Sequence, residues 1–516
     1  YHYMSDARKT MRVAVHYLFF SLLVASMALV VTAANMITFM LCWELMSLSS
    51  FFLVVYNYEN EGNRKAGYLY FIFSQVGAMF ILAAFGIIYS HAASFGFDGI
   101  AALPETAKIL VFALAFIGFG SKAGVFPFHV WLPHAHPAAP SHISAIMSGV
   151  MIKCGIYGIV RIYALLGWHA PMFGYIVLVA GMVSGILGVV YALGQHDIKR
   201  LLAYHSVENI GIILIGIGIG IIGVEAQNPL MAVLGFAGGL LHVLNHAIFK
   251  SLLFMGAGVV LHKTGTRTID ALGGLLKNMK ITGVTFLIGS LAISGLPPLN
   301  GFVSEFFIYM GSFRGIAAQP GVFVPSLLAI VSLAVIGGLA LACFTKVVGV
   351  VFQGEPRSAV ARDAEEKGVL MLAPMVTQVA VDLGREELYW RQVESGQGWG
   401  QDGLQNPMAF SVSLSAISTS KACRPPEVTI VNASVCVLAS VGEARSMTNN
   451  HKPANKKGRA RAPPTPPLRS LSVLKIKRSV LVLLRKVGRR TVRPQFGRHA
   501  ALGAMPPAHL HDLTGP

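Results

Sequence analysis

The stretch GFGSKAGVFPFHVWLPHAHPAAPSHISA, from Gly118 to Ala145, places a lysine, Lys122, inside an apolar segment that then breaks at a proline. A cation near the middle of a lipid bilayer costs at least about 2.5–3.5 kcal/mol on insertion scales, so lysines of this kind usually face a cavity or a partner and have a function. The stretch therefore predicts an interrupted membrane helix that carries a functional cation.

A second apolar stretch has the same features. ISGLPPLNGFVSEFF, from Ile293 to Phe307, is interrupted by Pro297 and Pro298, and Glu305 follows the break. Two interrupted helices in separate halves of a chain, each with a buried ionisable residue, indicate an ion transporter with internal repeats. The alternative is two proline-kinked helices whose charges lie at the membrane interface.

The composition places the chain among polytopic membrane proteins. It has 516 residues, of which 54% are hydrophobic and 12% are charged, and its mean hydropathy is +0.62. Ten apolar runs are long enough to span a bilayer, and they should be helical because backbone groups in lipid need internal hydrogen bonds. The runs cover Val13–Ala34, Met36–Tyr56, Ala66–Ser90, Ala107–Phe128, Ile143–Leu166, Met172–Leu193, His205–Val224, Leu230–Leu261, Ile281–Gly311 and Phe323–Phe352.

Basic residues in the loops orient these helices. When the ten runs cross the membrane in alternating directions, the loops on one side contain little more than Lys108 and Arg314 as basic residues. The other side, which the positive-inside rule makes the cytoplasm, receives Arg8, Lys9, Arg12, Arg64, Lys65, Lys199, Arg200, Lys263, Arg267, Lys277 and Lys280. Residues 1–12 are then a cytoplasmic segment without the features of a cleavable signal peptide, and a start at Tyr1 suggests a fragment.

The runs predict two transmembrane repeats. Residues 13–166 and 167–352 each hold five crossings, with the interrupted helix in fourth place, and an odd number of crossings inverts the second repeat relative to the first. The predicted fold is thus an all-α polytopic membrane protein with two inverted five-helix repeats, each with a broken helix.

Residues 353–516 lack long apolar runs, are rich in lysine and arginine, and account for most of the net charge of +18. A basic run such as KKGRARAPPTPPLRSL, from Lys456 to Leu471, can bind anionic lipid or nucleic acid. The segment Ser472 to Arg490 could form a basic amphipathic surface helix. The interpretation we favour is a disordered or out-of-frame cytoplasmic tail, with no nucleic-acid partner.

Glu44, about eight residues into an apolar helix, is too deep to be a loop charge. A carboxylate there should be neutral or should have a cationic partner, and Lys122 is the natural candidate. The pair predicts a site that holds and passes a proton; the alternative is a static buried ion pair. Lys153, on the next helix, would continue a row of polar groups along the membrane midplane.

In the second half, HVLNHAIFKSLLF places four polar residues on one helical face, because their spacings are three, four and eight residues. They are His242, Asn245, His246 and Lys250. A proton wire is favoured over a metal site, since no carboxylate or cysteine completes a metal shell. Glu305 and, as a possible member, Lys346 would extend the row.

Other histidines and acidic residues are less specific signals. His129, His134, His136 and His142 surround the first break and could feed protons inward, bind metal or simply cap the turn; His129 is a possible pathway residue. We expect His16 and His205 to be interfacial. The loop Gln195 to Ile212, with Asp197 and Glu208, predicts a salt-bridged cytoplasmic cap or, alternatively, a coupling element.

Neither a cofactor nor a metal is indicated in this chain. Cys42, Cys154 and Cys343 lie singly in apolar runs, and Cys423 and Cys436 lack the spacing of a zinc or iron–sulfur site. Gly218, Gly220 and Gly223 satisfy GxGxxG, but no strand precedes them, so nucleotide binding is rejected. The pairs Gly216/Gly220 and Gly181/Gly185 predict close helix packing instead.

The motifs WELMSLSSFFLV, GSKAGVFPFHVWLPHAHPAAPSHISA, HDIKRLLAYHS and NHAIFKSLLFMGAG resemble the antiporter-like membrane subunits of respiratory complex I, Mrp cation/proton antiporters and membrane-bound hydrogenases. YHSVENIGI and LPPLNGFVSEFF are most similar to the large membrane subunits of hydrogenase-4 and formate hydrogenlyase. The resemblance covers about Val13 to Phe352. It implies about three further helices before Val13 and at least one after Phe352.

The resemblance implies roles for single residues and a lateral proton path through both repeats. Glu44 and Lys122 match the family's glutamate–lysine pair, Lys153 its connecting lysine, Lys250 its central lysine and Glu305 the terminal residue of the second half-channel. The implied function is proton translocation in an energy-conserving oxidoreductase complex of the bacterial inner membrane.

In that complex redox chemistry takes place in other subunits. The expected partners are other membrane-arm subunits and peripheral hydrogenase and iron–sulfur subunits, which would carry the nickel–iron and iron–sulfur centres. Two alternatives stay open: an Mrp-type cation/proton antiporter subunit, and a non-functional truncated gene product.

Overall fold

The computed structural model of the protein describes residues 10–167, 170–318, 320–366 and 372–381. All of these residues belong to the first of two units, Tyr1–Thr448. The second unit, Asn449–Pro516, lies outside the described residues, as do Cys423, Cys436 and the predicted basic helix from Ser472 to Arg490.

The described part of the chain is helical, which confirms the predicted all-α polytopic fold, and its strand-like contacts are isolated bridges. Nine helices in it are long and apolar enough to cross a membrane, when the first broken crossing is counted as one. The helices are α1 (Thr10–Thr32), α2 (Met36–Val54), α3 (Glu61–Ala92), α4 (Glu105–Ala123), α5 (Leu132–Ala138), α6 (Ser141–Ile146), α7 (Ile152–Leu165), α8 (Pro171–Leu193), α9 (Ile198–Glu225), α10 (Pro229–Thr264), α11 (Lys280–Ile293), α12 (Asn300–Ala318), α13 (Pro320–Val351), α14 (Ala359–Arg362) and α15 (Leu372–Val381).

Polar residues at the ends of short loops cap the first turns of three membrane-crossing helices. The side-chain oxygens of Asn35, Asp197 and Asn228 accept hydrogen bonds from backbone N–H groups in the first turns of α2, α9 and α10. These N–H groups have no partner within their own helix, so a capping side chain satisfies them where the chain leaves the loop.

Both predicted breaks are present. The first crossing breaks after Ala123, where Gly124 has a φ of +80°, and resumes in α5. The second breaks after Ile293, where Gly295 has a φ of +62°, and resumes in α12. A positive φ is readily adopted by glycine, so each helix ends at a glycine shortly before the prolines.

A further irregularity lies between α6 and α7, where we predicted one continuous helix. Residues Met147–Met151 form a π-helical turn. At Gly149 a Cβ atom would lie 2.5 Å from the hydroxyl oxygen of Ser251 on α10. π turns in membrane helices frequently occur at functional sites, and this one immediately precedes the helix that carries Lys153.

Contacts between loops agree with the predicted threading. Asn35 pairs with Gly96, which joins the α1–α2 and α3–α4 loops on one side. On the other side Asp197 pairs with Thr268, and Arg267 forms an ion pair of 3.1 Å with Asp197. That ion pair confirms the predicted salt-bridged cap. The backbone nitrogen of Gly274, before α11, donates to the carbonyl oxygen of Gln353, after α13, at 2.8 Å. The short helices α11 and α12 therefore form one crossing together, which makes ten in the described part of the chain.

The side with few basic loop residues also receives Arg161, near the end of α7. Its guanidinium donates to the carbonyl oxygen of Ala33 at 2.8 Å and lies over the ring of Phe97. The broken crossing is fourth in each half of the element order. The inverted-repeat relationship between the halves stays a prediction.

Helix α9 is almost wholly buried and packs against α8, α10 and α13. Glycines permit this packing: a Cβ at Gly181 of α8 would lie 2.7 Å from the backbone nitrogen of Ile215, and one at Gly216 would lie 2.8 Å from the Cα of Gly239. The predicted close packing of helices at these glycines is confirmed.

The packed fold continues beyond Phe352, the predicted end of the second repeat. The carboxylate of Glu366 accepts hydrogen bonds of 2.8 and 3.0 Å from the backbone nitrogens of Ile281 and Thr282 at the start of α11. Ala361 and Met375 are buried in the same hydrophobic cluster as α10, α11 and α13.

Candidate ion pathway

The ammonium of Lys122 lies in the last turn of α4, directly before the first break. Its side chain is 3% exposed. The ammonium donates hydrogen bonds to the hydroxyl oxygens of Ser47 on α2 at 3.0 Å, Tyr70 on α3 at 2.7 Å and Ser74 on α3 at 3.5 Å. Hydroxyl groups from two neighbouring helices therefore replace the water shell of this cation.

Glu44 has a different neighbour from the one that we predicted. Its carboxylate accepts a hydrogen bond of 2.9 Å from the side-chain amide of Gln75, and no described ion pair within 4 Å joins it to Lys122. The reason is helix register: α2 directs Ser47, one turn further along, towards the ammonium. The two groups are thus not in direct contact, hydroxyl groups surround the cation, and the proton-holding role of the pair stays a prediction.

Lys153 connects the two halves of the chain. Its ammonium contacts the carbonyl oxygen of Ser148, in the π turn, and lies 2.5 Å from Nδ1 of His246 on α10. The hydroxyl of Ser148 is 2.7 Å from that of Ser206 on α9. The π turn thus brings α7 into polar contact with both central helices of the second half.

The predicted polar face of α10 is fully buried, and its members share partners on α9 and α12. His242 lies 2.9 Å from the hydroxyl of Ser304 through Nδ1 and 3.1 Å from the side-chain oxygen of Asn209 through Nε2. Asn245 donates to the carbonyl oxygen of Asn300 at 2.7 Å. The face consists of His242, Asn245, His246 and Lys250.

Lys250 is the lysine of this face. Its side chain is completely buried, and its ammonium has no hydrogen-bond partner among the described residues. It lies 5.8 Å from the ring centre of Phe254. Buried polar groups without a protein partner are the places where internal water binds.

The carboxylate of Glu305 lies next to Gly295 at the second break. A Cβ atom at Gly295 would lie 2.6 Å from its carboxylate oxygen Oε2, so the glycine also makes room for the carboxylate. Glu305 is 7% exposed. The second break thus holds a carboxylate where the first holds the ammonium of Lys122.

The possible pathway residues His129 and Lys346 have other neighbours. The Lys346 ammonium donates to the carbonyl oxygens of Leu193 and Gln195 at 2.9 and 3.1 Å, which caps the end of α8. The ring of His129 stacks on that of Phe126.

Of the interfacial histidines that we predicted, His16 lies 2.8 Å from His142 through the two Nε2 atoms. The other, His205, lies within α9. It is fully buried and bonded to Glu208, itself buried ten residues into α9 rather than at the helix entrance. The signal for Glu208 is its position inside the apolar run His205–Val224 rather than in the loop before it, since ionisable residues within membrane segments are rare and functional.

Among the described residues, no group of three or more His, Cys, Asp or Glu side chains could hold a metal ion. The row instead consists of ammonium, imidazole, carboxylate, amide and hydroxyl groups, all of which can accept or donate a proton or hydrogen bond.

The fold and this buried row define the class of antiporter-like membrane subunits. The chain belongs to the NADH:quinone oxidoreductase/Mrp antiporter transmembrane family, which it matches over residues 33–331. The predicted resemblance is confirmed, and so is the location as a multi-pass protein of the bacterial inner membrane.

Hydrogenase-4 component B of Escherichia coli (strain K12) is 42% identical over 373 residues, which are 70% of this chain and 55% of that protein. Formate hydrogenlyase subunit 3 of the same organism is 39% identical over 365 residues, or 69% of this chain and 58% of that protein. The chain thus spans somewhat more than half the length of these relatives, which are named as parts of larger assemblies.

The fold is similar to a chain in the structure of the Mrp complex from Dietzia sp. DQ12-45-1b. The TM-score is 0.63 at 23% identity, over 72% of this chain and 75% of that one.

Proposed function

We propose that this chain is the proton-translocating membrane subunit of an energy-conserving oxidoreductase complex of the hydrogenase-4 or formate hydrogenlyase type. The observation that carries the proposal is the contact between Lys153 and His246, because it joins the ionisable groups of the first half to those of the second. Buried ionisable residues in membrane helices are uncommon and mark ion pathways.

The proposed path starts at Glu44 and Lys122. The hydroxyl of Tyr70, which accepts a hydrogen bond from Lys122, also lies 3.8 Å from the sulfur of Met151 in the π turn. Beyond that turn the path continues through Lys153 to His246.

From His246 the proton moves along the α10 face, past His242 and Lys250, to Glu305 at the second break. The two halves act as inverted repeats, residues 13–166 and 167–352. Each contributes one broken helix, with an ionisable group beside the break, to the path.

In this proposal electron transfer takes place elsewhere. Other membrane-arm subunits surround the chain, and peripheral hydrogenase and iron–sulfur subunits hold the nickel–iron and iron–sulfur centres. The relatives named as parts of hydrogenase-4 and formate hydrogenlyase support this arrangement.

Proton pumping in inverted membrane vesicles that contain the whole complex tests the proposal. The vesicles are energised with the electron donor, and the pumping rate is divided by the amount of assembled complex. We expect Lys122→Met and Lys153→Met to abolish pumping. The control is Lys65→Met, since Lys65 is exposed and pairs with Glu61 on the surface of α3. Wild-type pumping by both buried variants would refute the pathway.

The second candidate is an Mrp-type cation/proton antiporter subunit, which the family description and the fold similarity favour. An antiporter dissipates a preformed pH gradient when Na⁺ or K⁺ is added without any electron donor. A cation-dependent signal of this kind, lost in Lys122→Met, would favour the antiporter. Pumping that requires the donor and ignores the cation would favour the oxidoreductase subunit.

A further inference from the structure

His205 and Glu208 form a buried pair that the proposed path does not use. They lie one turn apart on α9, both side chains are completely buried, and Nδ1 of His205 is hydrogen-bonded to Oε2 of Glu208. Helix α8 seals the pair from lipid: a Cβ at Gly188 would lie 2.6 Å from the backbone nitrogen of Glu208. The pair therefore sits inside the protein at a close contact between α8 and α9.

The His205 ring also faces the thiol of Cys343 on α13. Oε1 of Glu208 has no partner among the described residues. On the neighbouring helix α10, the ammonium of Lys250 is equally buried and equally without a partner. A carboxylate with a purely structural role would be expected to have both oxygens bonded. An unbonded acceptor on α9 and an unbonded donor on α10 instead fit a bridging water.

Glu208 also lies on a helix that packs against both α10, which carries Lys250, and α12, which carries Glu305. The residue after Glu208, Asn209, is hydrogen-bonded to His242 of the α10 face. His242 in turn lies 2.9 Å from the hydroxyl of Ser304, the residue before Glu305. Glu208 and Lys250 form no ion pair in the part of the chain that the structure describes, so a proton that moves between them needs a bridging group.

We propose that Glu208, held in place by His205, is the proton-carrying group between Lys250 and Glu305; this inference rests on the proposed function. A proton leaves the ammonium of Lys250, which becomes a neutral amine, and reaches the carboxylate of Glu208 through water. Glu208 becomes a carboxylic acid and then passes the proton to the carboxylate of Glu305. The total charge of the three groups stays constant throughout. His205 is a positioning residue that fixes Oε2 and leaves Oε1 available.

Pumping by Glu208→Gln tests the proposal in the same vesicles. The substitution keeps the shape and removes the titratable group, and we expect pumping to fall about tenfold or more, since a positioned proton-transfer group usually contributes at least that much. The control is Glu225→Gln, the same change near the other end of α9, and it should pump normally. Wild-type pumping by Glu208→Gln would overturn the inference. Lys122→Met in the same series separates this failure from failure of the proposed function, which would show as normal pumping in that variant too.

A double variant distinguishes proton transfer from structural support. His205→Asn with Glu208→Gln retains a pair of polar side chains able to hydrogen-bond, but neither side chain titrates. We expect it to assemble without pumping, whereas Glu208→Asp should recover part of the activity. Wild-type pumping by the double variant would show that the pair has only a structural role and would overturn the proposal.

An infrared measurement covers the case in which Glu208→Gln does not assemble. Difference spectra of the complex with and without electron donor should show the carbonyl band of a protonated carboxylic acid. This band should shift in Glu208→Asp, which keeps the carboxyl group and the negative charge. A band that stays unchanged in Glu208→Asp, or no carboxylic acid band at all, would overturn the proposal.

Discussion

Removing the Tyr70 hydroxyl changes one atom in the shell of Lys122. The Tyr70 side chain is completely buried, and its hydroxyl accepts a hydrogen bond of 2.7 Å from the ammonium and lies 2.5 Å from the hydroxyl of Ser50. Tyr70→Phe removes both contacts and the contact of the hydroxyl with the sulfur of Met151. It keeps the aromatic ring, whose centre is 5.0 Å from the ammonium, and the ring contact with Trp131.

The size of the effect follows from the type of hydrogen bond. A bond to a charged group contributes about 1.5–3 kcal/mol, and about 1.4 kcal/mol is a factor of ten in an equilibrium. Ser47 and Ser74 still bind the ammonium, so we expect the lower end of this range. The ammonium of Lys122 then loses one of its three hydroxyl partners, and we expect the pumping rate to fall about tenfold.

Tyr68→Phe is the matched control, because Tyr68 lies two residues away on α3 and is 60% exposed. Both variants are compared by proton pumping per assembled complex in inverted vesicles. Equal pumping by the two variants, at the wild-type rate, would refute the view that hydroxyl groups hold the charge of Lys122. Loss of assembly in Tyr70→Phe alone would show that the hydroxyl has a structural role instead.

Three further predictions concern other parts of the fold. Gly211→Ala should lower the melting temperature of the purified complex, since its Cβ would lie 2.3 Å from the backbone nitrogen of Gly185 and overpacking of this kind costs about 1–3 kcal/mol; Gly337→Ala, with no atom within 4 Å of its Cβ, should not. His246→Ala should abolish pumping with assembly intact, because it removes the contact with Lys153, and normal pumping would exclude this contact from the path. Lys346→Ala should lower the melting temperature yet leave the pumping rate per assembled complex unchanged, because its ammonium caps α8; a selective loss of pumping would return it to the path.

The crossings and both breaks could be predicted because their signals are local. Apolar runs set the helices, and Pro127 and Pro297 marked the interruptions within a few residues. The π turn at Met147–Met151 has no such signal, since its sequence is as apolar as that of the helix around it. The packing of Glu366 on α11 depends on residues more than eighty positions apart in the chain, which a reading of local pattern does not detect.

The arrangement of the site residues could be predicted only where all of them lie on one helix. The spacing of the α10 residues placed all four on a single buried face, as found. The neighbours of Lys122 depend on the register of α2 and α3 against α4, so the sequence suggested Glu44 where the structure has Ser47 and Tyr70. The apolar run predicted to begin at His205 belongs to a helix that begins at Ile198, because the polar residues of its first turns hide the start of the helix.

Charge balance gives an independent reason to include Glu208 in the row. A buried charge in a membrane needs a counter-charge or must be neutral, because the cost of removing ions from water is large. The sequence-predicted row had three lysines and two carboxylates, and thus one surplus positive charge. With Glu208 the three lysines meet three carboxylates, and a proton can move between them without changing the net charge of the row. The lysines are Lys122, Lys153 and Lys250, and the carboxylates are Glu44, Glu208 and Glu305. Because Glu208→Gln would restore the surplus, its effect should extend to the charge state of Lys250 as well as to the transfer step itself.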